Sequence, residues 1–119
     1  MRVFTGFFIF GIVMTIISSC SKDDNNTVDC TGVTPSYTND IAPIFNANCA
    51  TSGCHSALFP ASGINLSAYT AAKSASLNGK VLQSIKHESS VAAMPQGTSK
   101  LSADNIRLIE CWIKNGAPE

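Results

Sequence analysis

The sequence predicts an all-α fold with longish loops between short helices, and three stretches carry that prediction. Ile106, Ile109, Trp112 and Ile113 recur at helical spacing, Ile41, Ile44, Phe45 and Asn48 mark one face of an earlier segment, and Val81, Leu82 and Ile85 repeat the pattern between them. The first helix is expected to start near Asn39 as N-cap. Asp40 then faces the positive end of the helix dipole, and Pro43 is tolerated in or just after the first turn. Residues 58–65 carry Pro60 and Gly63 and read as loop. Ser67 is placed to cap a short helix through Ala75, and a further helix is expected between Gly79 and His87. The last helix has the clearest punctuation. Ser102 is the N-cap, Leu101 and Ile106 occupy the two positions of a hydrophobic staple, and Gly116 fits the C-terminal stop. Phe45 and Trp112, aromatics at helical spacing, are read as core side chains.

The amino terminus reads as a processing segment. Met1-Arg2 is a short basic start, the apolar run from Val3 to Ile17 is broken only by threonine and glycine, and Ser18-Ser19-Cys20 closes it with small residues. The run falls short of the roughly 20 apolar residues that a membrane span needs. Its ending resembles a bacterial lipobox, which implies a lipoprotein signal peptide over residues 1–19 and an acylated Cys20 as the first mature residue. A plain secretory signal with a free Cys20, or an uncleaved anchor helix, is the alternative. Residues 20–35 form an Asp/Asn-rich tether and 36–119 the folded domain. Ser21-Lys22-Asp23-Asp24 also resembles the charged tag that sends some lipoproteins to the outer face of the outer membrane. The expected location is the bacterial cell envelope, periplasmic or at the outer-membrane surface, with the membrane reached through lipid.

The chemistry concentrates in Cys49-Ala50-Thr51-Ser52-Gly53-Cys54-His55. Two thiols followed at once by an imidazole is the order that covalent haem attachment requires: each cysteine forms a thioether, and the adjacent His55 is held as proximal ligand. The usual spacer between the cysteines is two residues. Here it is four, so the extra length must loop outward, and Gly53 offers the backbone freedom for that bulge. A sixth ligand is sought further on. Met94 is the only methionine left once Met1 and Met14 depart with the signal peptide, and Pro95 biases it toward an extended conformation. His87 is the rival, although Lys86-His87-Glu88 looks like a solvated helix end, and Met94 as mere core filler is the bland alternative.

These pieces resemble the small monohaem c-type cytochromes, in particular a lipoprotein group with the running pattern I-x-P-I-F-x-x-x-C, then C-H, then M-P, then W-I-x-x-G-A. The matching residues are Ile41-Ala42-Pro43-Ile44-Phe45, Cys49, Cys54-His55, Met94-Pro95 and Trp112-Ile113-Lys114-Asn115-Gly116-Ala117, and the likeness covers about residues 36 to 119. It implies a cytochrome c-like fold of three to five helices wrapped around one covalent haem c. Cys49 and Cys54 would hold the haem, with His55 and Met94 as the iron ligands. The function implied is electron transfer to a redox partner protein, without catalysis. The four-residue spacer is the departure from the pattern.

Cysteine arithmetic follows from that assignment. Of five cysteines, one goes to lipid and two to haem, which leaves Cys30 and Cys111 in an oxidising compartment. In the cytochromes that this chain resembles, the first and last helices pack together, which would bring Cys30 and Cys111 close enough to bridge. Two separate thiols, with Cys111 as a small apolar helix residue, is the other possibility.

Formal net charge is zero, from 8 basic and 8 acidic residues, so there is no basic stripe for nucleic acid. No phosphate loop, nucleophile elbow or paired carboxylates appear, which argues against an enzyme. Lys73, Lys80, Lys86 and Lys100 are candidates to rim the haem edge and dock an acidic partner, or simply make a solvated face. A domain this small has a marginal apolar core, which a buried porphyrin would enlarge. Two other functions stay open. Cys49, Cys54 and His55 with His87 carry the ligand types of a zinc site, and a haem-free adhesin or binding lipoprotein would bridge Cys49 to Cys54.

Overall fold

Secondary structure in the computed structural model, which describes residues 27–119, is helical throughout, with no strand among the described residues. The segment expected to be a signal peptide, with Met1 and Met14, the expected lipidation site Cys20 and residues 21–24 lie outside the described residues. A π-helical turn, Tyr37–Ile41, runs directly into α1 (Ala42–Asn48). A 3-10 turn, Ala61–Gly63, interrupts a long loop before α2 (Tyr69–Leu77), α3 (Lys80–Ile85) and α4 (Ala103–Lys114). No helix among the described residues is long and apolar enough to cross a membrane.

The first helical segment begins earlier than Asn39. Ser36 is the N-cap: its hydroxyl accepts from the Asn39 N–H at 3.2 Å, and the Asp40 carboxylate accepts from the Ser36 N–H at 2.8 Å. This reciprocal bonding is a capping box widened by one residue, as the π turn requires, and it uses Asp40 for a specific donor as well as for the dipole. Pro43 then sits at the second position of α1, where the π register gives way to α, and it brings no N–H to bond back into the preceding turn.

Ser67 does not cap α2. Its N–H and its hydroxyl both donate to the Asn65 side-chain oxygen, at 2.9 and 2.7 Å, so a local turn has claimed the group. The helix starts two residues later, behind an Ala68 that offers no cap. α3 is shorter than expected, entered through Gly79 at φ 92° and closed at Lys86.

α4 follows its punctuation closely. The Ser102 hydroxyl accepts from the Asn105 N–H at 3.2 Å. At the other end Gly116 takes φ 84°, its N–H reaches the Ile113 carbonyl at 3.0 Å, and the Ala117 N–H reaches that of Trp112 at 2.8 Å. Those two bonds make a Schellman stop.

The core lies where α4 crosses the first helical segment. Ile41, Phe45, Ile109 and Trp112 have no exposed surface, and Phe45 meets the Trp112 ring edge-on at a centroid distance of 6.3 Å. The C-terminal residues then stitch the two segments together. Pro118 O accepts from the Trp112 indole N–H at 2.7 Å and from the Tyr37 N–H at 3.0 Å, while Ala117 O accepts from the Tyr69 hydroxyl at 3.0 Å. Outside this core, the segment before the first helix is strapped to α4. Cys30 and Cys111 form a disulfide, Arg107 donates to Asp29 O at 2.9 and 3.1 Å, and Lys114 donates to Val28 O at 3.1 Å.

Candidate functional site

α1 ends where the thiols begin. The Asn48 amide turns back to the Ile44 carbonyl at 2.8 Å, and the N–H groups of Cys49 and Ala50 both converge on Phe45 O, at 2.8 and 2.7 Å. With its carbonyls taken twice over, the helix stops and Cys49 stays packed at its end, buried in the core. The four-residue spacer then loops away: Thr51, Ser52 and Gly53 are exposed, and Gly53 adopts φ 79°, a conformation open to glycine without strain. The loop closes on itself. The Cys54 N–H donates to Thr51 O at 3.0 Å and the His55 N–H to Cys49 O at 3.0 Å, so His55 is returned to the thiol where the loop began.

His55 is oriented by the loop that follows. Its Nδ1 lies 3.0 Å from the Ile64 carbonyl, which only accepts, so Nδ1 donates there and Nε2 is the nitrogen left for a ligand. The Leu66 N–H bonds back to His55 O at 2.9 Å and secures the same stretch. The sequence held no signal for this partner, because any residue supplies a carbonyl.

Cys49, Cys54, His55 and Met94 line one cleft of about 730 Å³, together with apolar Ile64, Leu66, Val81, Ile85 and Leu101. The loop after α3 contributes Met94, whose backbone N–H donates to Ser84 O at 3.0 Å. The Met94–Pro95 peptide bond is cis. Both cleft cysteines are free thiols, so a Cys49–Cys54 bridge is not formed. They differ in environment. Cys54 is exposed, whereas burial, and secondarily the neighbouring Cys54, pushes the Cys49 thiol up to about 11.

His87 does not line this cleft. Its ring is turned to the Met94 backbone, Nε2 to carbonyl oxygen at 3.0 Å. Among the described residues no three His, Cys, Asp or Glu side chains converge as metal ligands, so the set imagined for zinc is not assembled. The four lysines separate. Lys80 and Lys100 border the cleft, while Lys73 bonds the Tyr69 hydroxyl at 3.2 Å and Lys86 pairs with the nearly buried Glu110 at 2.6 Å. That ion pair ties α3 to α4 and was not legible beforehand, since Glu110 and Lys86 lie far apart in the chain.

The site therefore combines two free thiols, an imidazole fixed through one nitrogen, and a thioether, around an apolar cleft. Its volume falls within the range of about 300 to 1,000 Å³ that cofactor sites occupy. Thiols, an imidazole and a thioether are thus present on the walls of one cavity, a donor set whose chemistry fits a covalently attached haem. Comparison with family models, curated proteins and solved structures finds no match to this chain.

Proposed function

We propose that the chain is a small c-type cytochrome with a cytochrome c-like fold, an electron-transfer protein tied to the membrane by lipid on Cys20. The observation that carries this reading is the meeting of Cys49, Cys54, His55 and Met94 at one cleft, although Met94 is remote from the other three in sequence. Haem c, when bound, supplies a one-electron ferrous/ferric couple. The residues have separate tasks. Cys49 and Cys54 would hold the group through two thioethers, each thiol giving its sulfur to one vinyl carbon and its hydrogen to the other with no net change of oxidation state. His55 would offer Nε2 to the iron, its ring held in one orientation by the Ile64 carbonyl. Met94 would offer a neutral sulfur from the loop after α3, a ligand that favours the reduced state and so a comparatively high potential.

Ile64, Leu66, Val81, Ile85 and Leu101 give the cleft an apolar lining, which would oppose added charge on a group held there. Lys80 and Lys100, at the cleft border, suit an acidic redox partner protein. Nothing in this arrangement makes or breaks a substrate bond, so we do not propose an enzyme.

The test is to purify the exported chain from a host competent in cytochrome maturation. Haem that survives acid-acetone extraction, and a mass raised by one haem and one lipid modification, is expected. A colourless product with Cys49 and Cys54 unmodified overturns the proposal. Met94→His is expected to lower the potential and remove the sulfur-to-ferric-iron charge-transfer band; survival of both refutes the ligand assignment.

A further inference from the structure

We infer that His87 is a positioning residue whose ring pins the backbone of Met94 to the end of α3 and thereby sets where the thioether stands in the cleft. The inference rests on the proposal that Met94 is an iron ligand. Lys86 closes α3, and His87 follows it at φ 56°, the left-handed position that ends many helices and that glycine usually fills. A residue with a side chain is disfavoured there, and an outlier of this kind points to a local task. The ring has one. Its Nε2 donates to the Met94 carbonyl at 3.0 Å.

Met94 is held at its other polar group as well. Its N–H donates at 3.0 Å to the Ser84 carbonyl, which also accepts the His87 N–H at 3.1 Å. One acceptor at the end of α3 therefore anchors both the residue that does the holding and the residue held. The left-handed turn at His87 sends the chain away from the helix axis, and the ring reaches across the resulting loop to its far limb. Met94 belongs to no helix and has no ladder of neighbouring bonds, so these two contacts are what fix its backbone. Because His87 does not line the cleft, it acts only through Met94.

Two variants of the full exported chain test this. His87→Gly removes the ring and relieves the left-handed backbone, so the fold is not strained by the change. His87→Gln keeps a side-chain N–H donor at comparable reach. In His87→Gly the Met94 amide is expected to exchange with solvent about fivefold faster, the factor of one ordinary hydrogen bond, while Ile109 and Trp112 amides keep their rates. In the haem-loaded protein the sulfur-to-ferric-iron band weakens in the same variant, and Gln restores both readouts to within about twofold. An unchanged Met94 rate overturns the inference. So does an acceleration shared equally by Ile109 and Trp112, which marks a general loss of stability. A colourless chain whose Met94 amide still responds refutes the cofactor reading and keeps the pin; a red chain whose Met94 does not respond refutes the pin alone.

Discussion

Around Trp112, the Phe45 and Trp112 rings meet with no exposed surface, the indole N–H is bonded to Pro118 and the adjacent Cys111 is bridged to Cys30, whereas around Met94 the cleft is lined by α3 and by the loops after α1 and α3 and stays open to solvent. The first region is held by packed rings, a disulfide and side chains bonded to the carbonyls of Ala117 and Pro118. The second is held by backbone: Ile64 O on His55, Ser84 O on Met94, Cys49 O on the His55 N–H. Exposure follows the same division, since Leu58 and Phe59 on the long loop beyond His55 are 85% and 84% exposed. Stability is therefore concentrated on α4 and the first helical segment, and chemistry on the loops that those helices carry. The helices that hold the fold and the loops that carry the thiols, the imidazole and the thioether are thus largely separate parts of the chain.

Breaking the cleft without touching the scaffold gives the largest effect. Cys54→Ser is expected to reduce covalently bound haem at least about tenfold, while the haem-free chain keeps its stability to within about 0.5 kcal/mol, because Cys54 is exposed. Haem content after acid-acetone extraction and urea unfolding read the two halves. Unchanged haem incorporation refutes the tethering role.

The converse experiment breaks the scaffold. Replacing both Cys30 and Cys111 opens a loop spanning a sequence separation of 81 residues and is expected to cost about 4 to 5 kcal/mol in denaturant unfolding. Trp112→Ala should cost about 3 to 5 kcal/mol, since the ring is fully buried and its N–H leaves Pro118 O without that donor. A loss below about 1 kcal/mol in either variant would show that the cleft side shares the load.

The smallest expected effect sharpens the boundary between the regions, because Cys49 belongs to both. Burial raises its thiol to about 11 from an ordinary value of 9.0, so the folded chain holds that proton more tightly than the unfolded chain. The associated stability is complete below pH 9 and is lost as pH rises toward 11. Urea titrations of the haem-free chain should show this alkaline decline, and Cys49→Ala should flatten it. A decline of equal steepness in the variant would assign it to other groups.

How much of this was legible depended on range. The stripe Ile109 and Trp112, the Ser102 cap and the Gly116 stop were readable because each is decided within one or two turns of chain. The expectation of an N-cap at Asn39 failed, since the choice between Asn39 and Ser36 turned on a π turn that lets Asp40 reach the Ser36 N–H. Ser67 failed as a cap because Asn65 reached it first. The thiol–thiol–imidazole order could be read directly, whereas the grouping of Met94 with it was expected from its being the only methionine after the signal segment and from resemblance.

By itself the amino-acid order determined the all-helical character, the caps and stops of α4, and which residues carry sulfur and imidazole chemistry. Tertiary structure decided the rest: that Cys30 meets Cys111, that Lys86 meets Glu110, that Ile64 and Ser84 offer their carbonyls to His55 and Met94, and that His87 faces a backbone rather than the cleft. The physical reason is that helical pattern and capping are written in side chains a few residues apart, whereas a backbone carbonyl is the same in every residue. Which carbonyl a distant donor finds depends on the path of the loops, and that path is settled only when the core closes.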